Sequence, residues 1–205
     1  YANIITPEKV IELHQEYITA GADIITTNTF RTNPLAYNQA ELKISNADFI
    51  ARSVDLAQQA INNNENVFVA GSNPPAEDSY QTHRKVSQHD LELNHKSHID
   101  MLWNNSVDFV LNETQSHFDE IKIICTHCAI NNIPFIICLF VTEDGNILSG
   151  ESLSTILKYV KDFNPIAVGI NCINTKTFSK VVRNIDNEYR WGFYLNCGNG
   201  NYTDK

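Results

Sequence analysis

The chain reads as an α/β protein of the (β/α)8 TIM-barrel class, lacking the first strand and the last β/α unit of a complete barrel. Three observations predict this. Apolar runs of strand length alternate six times with segments of helical period. The runs are nearly continuous rather than alternating, as expected of parallel strands covered on both faces. Four of them end in small polar or metal-capable residues: Thr26-Thr27-Asn28, Asn112-Glu113-Thr114, Asn171-Cys172 and Tyr194-Leu195-Asn196. Barrels carry their functional groups at such strand ends. A closed barrel takes about 250 residues and eight units, and at 205 residues this chain is roughly two strands short of that. The shortage is expected at both ends, because a helix starts almost at Tyr1 and nothing helical follows Asn196. We read 1–205 as one domain incomplete at both ends, consistent with a chain that opens without an initiator methionine.

Each unit has its own justification. Thr6-Pro7-Glu8 supplies a cap, a first-turn proline and an early acid; Val10, Ile11, His14, Tyr17 and Ile18 mark one helical face, and Gly21 follows the last turn. Asp23 to Thr27 is then a short strand. Ile50, Val54, Ala57 and Ile61 form the next stripe, followed by Val67-Phe68-Val69-Ala70 and closed by Gly71-Ser72. Leu91, Ile99 and Leu102 precede Phe109-Val110-Leu111. Phe118, Ile121, Cys125 and Cys128 line the helix before the run from Phe135 to Val141. Leu153, Ile156, Leu157 and Val160 precede Ile166 to Ile170, and Phe178, Val181, Val182 and Ile185 precede Trp191 to Tyr194. The polar stretch from Ser72 to Lys85, with Pro74 and Pro75, is expected to be a long loop on the functional face.

Composition excludes several classes. A net charge of -9 leaves no basic stripe for a nucleic-acid backbone or an anionic membrane and favours small neutral or cationic ligands. The longest apolar stretch, Ile133 to Val141, contains Pro134 and falls far short of the roughly 20 residues a bilayer requires. Five irregularly spaced cysteines point to reduced thiols and a cytoplasmic setting rather than a disulfide scaffold. An incomplete barrel would leave two strand edges unpaired, so the chain is expected to be marginally soluble or to depend on a partner, an oligomer among them.

At the strand ends, each residue type carries a functional and a structural reading. Cys172 is a metal ligand or a buried strand-end thiol. Glu113 is a carboxylate facing the mouth for a substrate ammonium, or a helix cap or loop ion pair. Asn28 and Asn171 offer amide donors and acceptors at the rim, or form turns. Thr27, Tyr194 and Asn196 complete the candidate substrate contacts.

The segment from Gly21 to Asn33, together with Val69-Ala70-Gly71-Ser72, Glu113-Thr114 and Gly169-Ile170-Asn171-Cys172, resembles the homocysteine S-methyltransferase family in order and interval across nearly the whole chain. The resemblance implies a (β/α)8 barrel that transfers a methyl group to zinc-bound homocysteine, giving methionine. It makes Cys172 a zinc ligand and catalytic centre, with an adjacent cysteine pair after the eighth strand as the other two ligands, and it makes Glu113 the partner of the substrate ammonium. Neither that cysteine pair nor the family's first-strand Asp-Gly occurs in this sequence, so zinc is expected for the complete protein and weak or absent in this chain. The expected partners are homocysteine and a small methyl donor, with a sulfonium such as S-methylmethionine preferred over betaine or a methylated folate because cationic methyl groups leave readily.

Tyr194-Leu195-Asn196-Cys197-Gly198 departs from the family's Tyr-Pro-Asn and makes Cys197 a conceivable second metal ligand or disulfide partner of Cys172. Cys125-Thr126-His127-Cys128 lies on an apolar helical stripe and reads as core, as does Cys138 within its strand. His83, His89, His95 and His98 show no ligand spacing and read as solvated surface. Two rivals remain: a non-catalytic amino-acid-binding relic without metal, and a phosphate-binding barrel lyase or isomerase using Gly198-Asn199-Gly200.

Overall fold

The computed structural model describes residues 2–40, 42–62, 64–185 and 190–196. The elements run α1 (Ala2–Ile5), α2 (Pro7–Thr19), β1 (Ile24–Thr26), α3 (Pro34–Tyr37), α4 (Asn46–Ile61), β2 (Phe68–Asn73), α5 (Gln88–Asn104) and β3 (Phe109–Gln115). They continue with α6 (Phe118–Ile130), β4 (Phe135–Leu139), α7 (Leu153–Lys161), β5 (Ala167–Asn171), α8 (Thr175–Val181), a 3-10 turn (Val182–Asn184) and β6 (Trp191–Tyr194). The six strands form one parallel sheet in the order β1-β2-β3-β4-β5-β6. This is the sequential βα winding of a barrel, present as an incomplete barrel.

Local chemistry explains the helix starts. Ser45, Ser87, Ser152 and Asn174 each accept a backbone N–H from three residues on, capping α4, α5, α7 and α8. In α2 the Thr6 side chain makes no capping bond, and Pro7 in the first turn fixes the helical φ instead.

Alternation sorts each strand's residues to two faces. Ile25, Val69, Val110, Ile137, Leu139, Val168 and Ile170 face the helices, where they meet Ile50, Val54, Ile99, Leu102, Ile121, Ile124 and Ile156. Each fully buried Ile or Leu in that layer contributes about 1.5–3 kcal/mol relative to exposure. Ala70, Phe109, Leu111 and Cys138 pack with Ile136 on the inner face. Gly169 on β5 has no side chain because a Cβ there would collide with Cys138 Sγ of β4. Cys125, Cys128 and Cys138 are buried free thiols, as the apolar pattern predicts, and burial pushes Cys128 and Cys138 up to about 12.

The structure corrects two sequence readings. β2 continues through Ser72 to Asn73, because Ser72 and Asn73 pair with Leu111 and Asn112 of β3, so the long loop starts only at residue 74. His95 and His98 are fully buried rather than solvated, whereas His83 and His89 are exposed as expected. The buried pair faces the sheet from α5 and finds polar partners there.

Candidate functional site at the strand ends

The rim is shaped by two backbone irregularities. The β3–β4 register shifts between Asn112 and Gln115, so Glu113 and Thr114 form a bulge. Thr114 has φ +56° and Cys172, just past β5, also has φ +56°. A β-branched residue in the left-handed region is a true outlier, held only where surrounding bonds over-determine it. Those bonds are present. Asn171 reaches past β4, accepting the Thr114 N–H on Oδ1 at 3.1 Å and donating Nδ2 to Thr114 Oγ1 at 2.8 Å. Bulges of this kind re-aim side chains beside functional sites.

The bulge, Asn171 and the turn after β5 place the Cys172 sulfur. Cys172 Sγ accepts from Thr114 Oγ1 and Asn171 Nδ2, each at 3.4 Å, and is half-buried at the mouth rather than packed among the outer helices. Its backbone is pinned to β6, with its N–H donating to Tyr194 O at 3.1 Å and its carbonyl accepting Asn196 Nδ2 at 3.0 Å.

Glu113 points to the same mouth. Its Oε2 accepts the Tyr194 hydroxyl at 2.7 Å, reaching from β6 over two intervening strands, and its Oε1 accepts the Ser72 hydroxyl. A phenol facing a carboxylate oxygen is the donor of the pair. Tyr194 joins the two predicted site residues, its hydroxyl bonding Glu113 Oε2 at 2.7 Å and its carbonyl accepting the Cys172 N–H at 3.1 Å. Among the described residues no cation lies within ion-pair distance of Glu113.

Glu113, Ser72 and Tyr194 border a cavity of about 850 Å³ whose other walls are α2 and β1, including Val10, His14, Thr27 and Asn28. Thr27 is tied into a closed ring. Its Oγ1 accepts Ser72 N–H at 3.1 Å and bonds Thr29 Oγ1 at 2.8 Å, and the Thr29 hydroxyl donates to Ser72 O at 2.7 Å. Asn28 is exposed, with its Nδ2 donating to Asn3 Oδ1 at 2.9 Å. Cys197 and Gly198 to Gly200 lie outside the described residues.

Behind the rim, a buried polar network holds the 74–87 loop against the sheet. Asn73 Nδ2 donates to Asn112 Oδ1 at 2.7 Å, and Asn73 Oδ1 accepts His98 Nδ1 at 2.9 Å. His95 Nε2 bonds Glu120 Oε2 at 2.7 Å; the same carboxylate accepts Ala76 N–H and Arg84 Nη1 from the loop, both at 3.0 Å. Burial alone would raise Glu120, but His95, the Ala76 amide and Arg84 hold it down at about 2. Burial, then the neighbouring His95, lowers His98 to about 3.

Sequence reasoning assigned no role to Ser72 and Thr114, although both fall within the quoted motifs. Their roles depend on partners 41 and 58 positions away, which no local pattern displays.

Parallel α/β units with an acid and a thiol at the carboxyl-end rim define a barrel domain of the enzyme-like type. Residues 2–205 match the family described as Homocysteine S-methyltransferase, and the chain belongs to that family. It is 24% identical over 172 residues to betaine–homocysteine S-methyltransferase 1 of Danio rerio, covering 81% of this chain and 41% of that protein. It is 26% identical over 199 residues to betaine-homocysteine S-methyltransferase of Drosophila melanogaster, covering 82% and 60%. The chain therefore spans about half the length of these relatives. In fold it is similar to the metallated form of the homocysteine methyltransferase MmuM of Escherichia coli, with a TM-score of 0.86, 21% identity, and 96% of this chain and 75% of that one covered. Family membership displaces the phosphate-binding lyase or isomerase. Among the described residues no helix is long and apolar enough to cross a membrane.

Proposed function

We propose that this chain is the homocysteine-binding part of a methyltransferase that moves a methyl group from a small donor to the thiol of homocysteine, giving methionine. The observation that carries this reading is Glu113: a carboxylate oriented by two hydroxyls, bordering a cavity, without a described cation partner, and joined through Tyr194 to the backbone of Cys172. A carboxylate so placed seats an ammonium group, and the amino acid's sulfur then extends toward Cys172. Thr27, Asn28 and Tyr194 line the same cavity. Asn171 and Asn196 act indirectly, through the bonds that fix Cys172.

In the transfer, the homocysteine sulfur forms the new S–CH3 bond and releases its proton. The donor's bond to that methyl breaks, its electron pair remaining on the donor heteroatom. A sulfonium such as S-methylmethionine or a quaternary ammonium such as betaine leaves as a neutral group, and a chain of net charge -9 favours such cations. The names of the two relatives favour the ammonium; the better leaving group favours the sulfonium, which we keep as first choice over betaine and a methylated folate. Zinc fits the described residues poorly: among them no three His, Cys, Asp or Glu are arranged to hold a metal, and Cys172 offers one sulfur.

The test is to incubate the purified chain with L-homocysteine and each donor, with and without added zinc, and to measure methionine by mass spectrometry alongside homocysteine binding by calorimetry. Homocysteine binding with methionine from one donor supports the reading. Absence of both refutes it for this chain.

A further inference from the structure

The Glu113 carboxylate is held in an unusual way for a group that is only partly buried. Its two oxygens take hydroxyl donors from strands on opposite sides of it, Ser72 of β2 on Oε1 and Tyr194 of β6 on Oε2. Neither donor carries charge, and no described cation pairs with the carboxylate. Two neutral donors fix both oxygens in space while leaving the full negative charge in the cavity. An ion pair would have fixed the group equally well and removed its attraction for a cation.

The surroundings favour the same arrangement. Ser72 is anchored through its backbone, by the ring with Thr27 and Thr29, which leaves its hydroxyl directed to Glu113. Tyr194 is anchored by its carbonyl, which accepts the Cys172 N–H. The tyrosine therefore links the carboxylate that seats one end of a ligand to the backbone of the residue near the other end.

We propose that Ser72 and Tyr194 are positioning residues that clamp Glu113 as an unneutralised seat for a primary ammonium group, and so make the site select an amino acid over the corresponding thiol acid. This rests on the function proposed above and assigns the selectivity to two residues that need not touch the ligand. A carboxylate freed from the clamp samples rotamers and hydrates, losing affinity for the ammonium but not for the rest of the molecule.

The experiment compares binding of L-homocysteine and 4-mercaptobutyrate, which lacks only the amino group, to the wild-type chain and to Tyr194→Phe, Ser72→Ala and Glu113→Gln, by calorimetry. Each clamp variant is expected to weaken homocysteine about tenfold, the scale of one hydrogen bond to a charged group, and to leave 4-mercaptobutyrate unchanged. Glu113→Gln should abolish the preference between the two ligands. If Tyr194→Phe and Ser72→Ala weaken both ligands equally, or neither, while Glu113→Gln still removes the preference, the clamp is wrong and the functional reading stands. If the wild-type chain shows no preference for homocysteine, both fall. Thermal melts of each variant exclude loss of fold, and Ser72→Thr, which keeps the hydroxyl, should restore the preference lost in Ser72→Ala.

Discussion

His98 provides a quantitative test of the network behind the rim. It is fully buried, its Nδ1 bonds Asn73 Oδ1 at 2.9 Å, and its Nε2 lies 3.1 Å from a Thr32 hydroxyl that already donates to Thr29 O. The charged groups on the surrounding elements, Glu120 of α6 and Arg84 of the loop, are engaged with each other and with His95. Its folded pKa is lowered from 6.5 to about 3, by burial and then by His95. The sign follows from linkage: below pH 6.5 the unfolded chain takes up a proton that the folded chain refuses, so stability falls as pH drops from 6.5 toward 3. Between pH 7 and pH 4.5 this removes about 2.5 kcal/mol, at about 1.4 kcal/mol per unit below the unfolded pKa. That is a large part of the roughly 5–15 kcal/mol of a typical domain. Urea unfolding of wild type and His98→Gln at both pH values should show that the variant, though weaker at pH 7, loses about 2.5 kcal/mol less on acidification. His14 and Glu120 titrate in both proteins and cancel. Equal pH sensitivity in the two would mean that His98 accepts a proton inside the fold, refuting the account of its burial.

Three further outcomes are expected. Gly169→Ala, which drives a methyl into Cys138 Sγ, should cost about 1–3 kcal/mol in denaturant unfolding, and Cys138→Ala should recover part of that loss; an unchanged midpoint would contradict the contact. Ser45→Ala removes the oxygen that accepts Asp48 N–H at 3.1 Å and should lower stability by about 1 kcal/mol, with Ser45→Asp close to neutral. Brief alkylation of the native chain followed by peptide mass mapping should label Cys172, which is half-buried, and spare Cys125, Cys128 and Cys138, which are buried; early labelling of Cys138 would show that the inner layer is open.

The units of the fold were legible because each obeys a local period. The stripes Ile50-Val54-Ala57 and Leu153-Ile156-Leu157-Val160 lie where the core is. The local pattern ends β2 too early because Ser72 and Asn73 are turn formers by type and strand residues only through their pairing with β3. The buried histidines do carry a sequence signal: Leu91, His95, His98 and Leu102 share one face of α5, and a polar residue on such a face belongs to a network. Cys172 and Glu113 were legible as strand-end residues and through the family pattern. The left-handed backbone at Thr114 and Cys172 was not, since neither residue type favours it and the bonds that enforce it arrive from another strand.

Ser72 and Asn73 are neighbours in β2 that look in opposite directions, one toward the Glu113 carboxylate inside the sheet and the other toward the histidines outside it. Sliding β2 by one position along β3 would exchange them, presenting the hydroxyl to the imidazoles and the amide to the acid and leaving both sets mismatched. Apolar strands tolerate such slippage because one aliphatic side chain resembles the next. Here two adjacent polar letters of different chemistry act as a key cut on both edges, so strand alignment and the geometry of the mouth are specified by the same dipeptide.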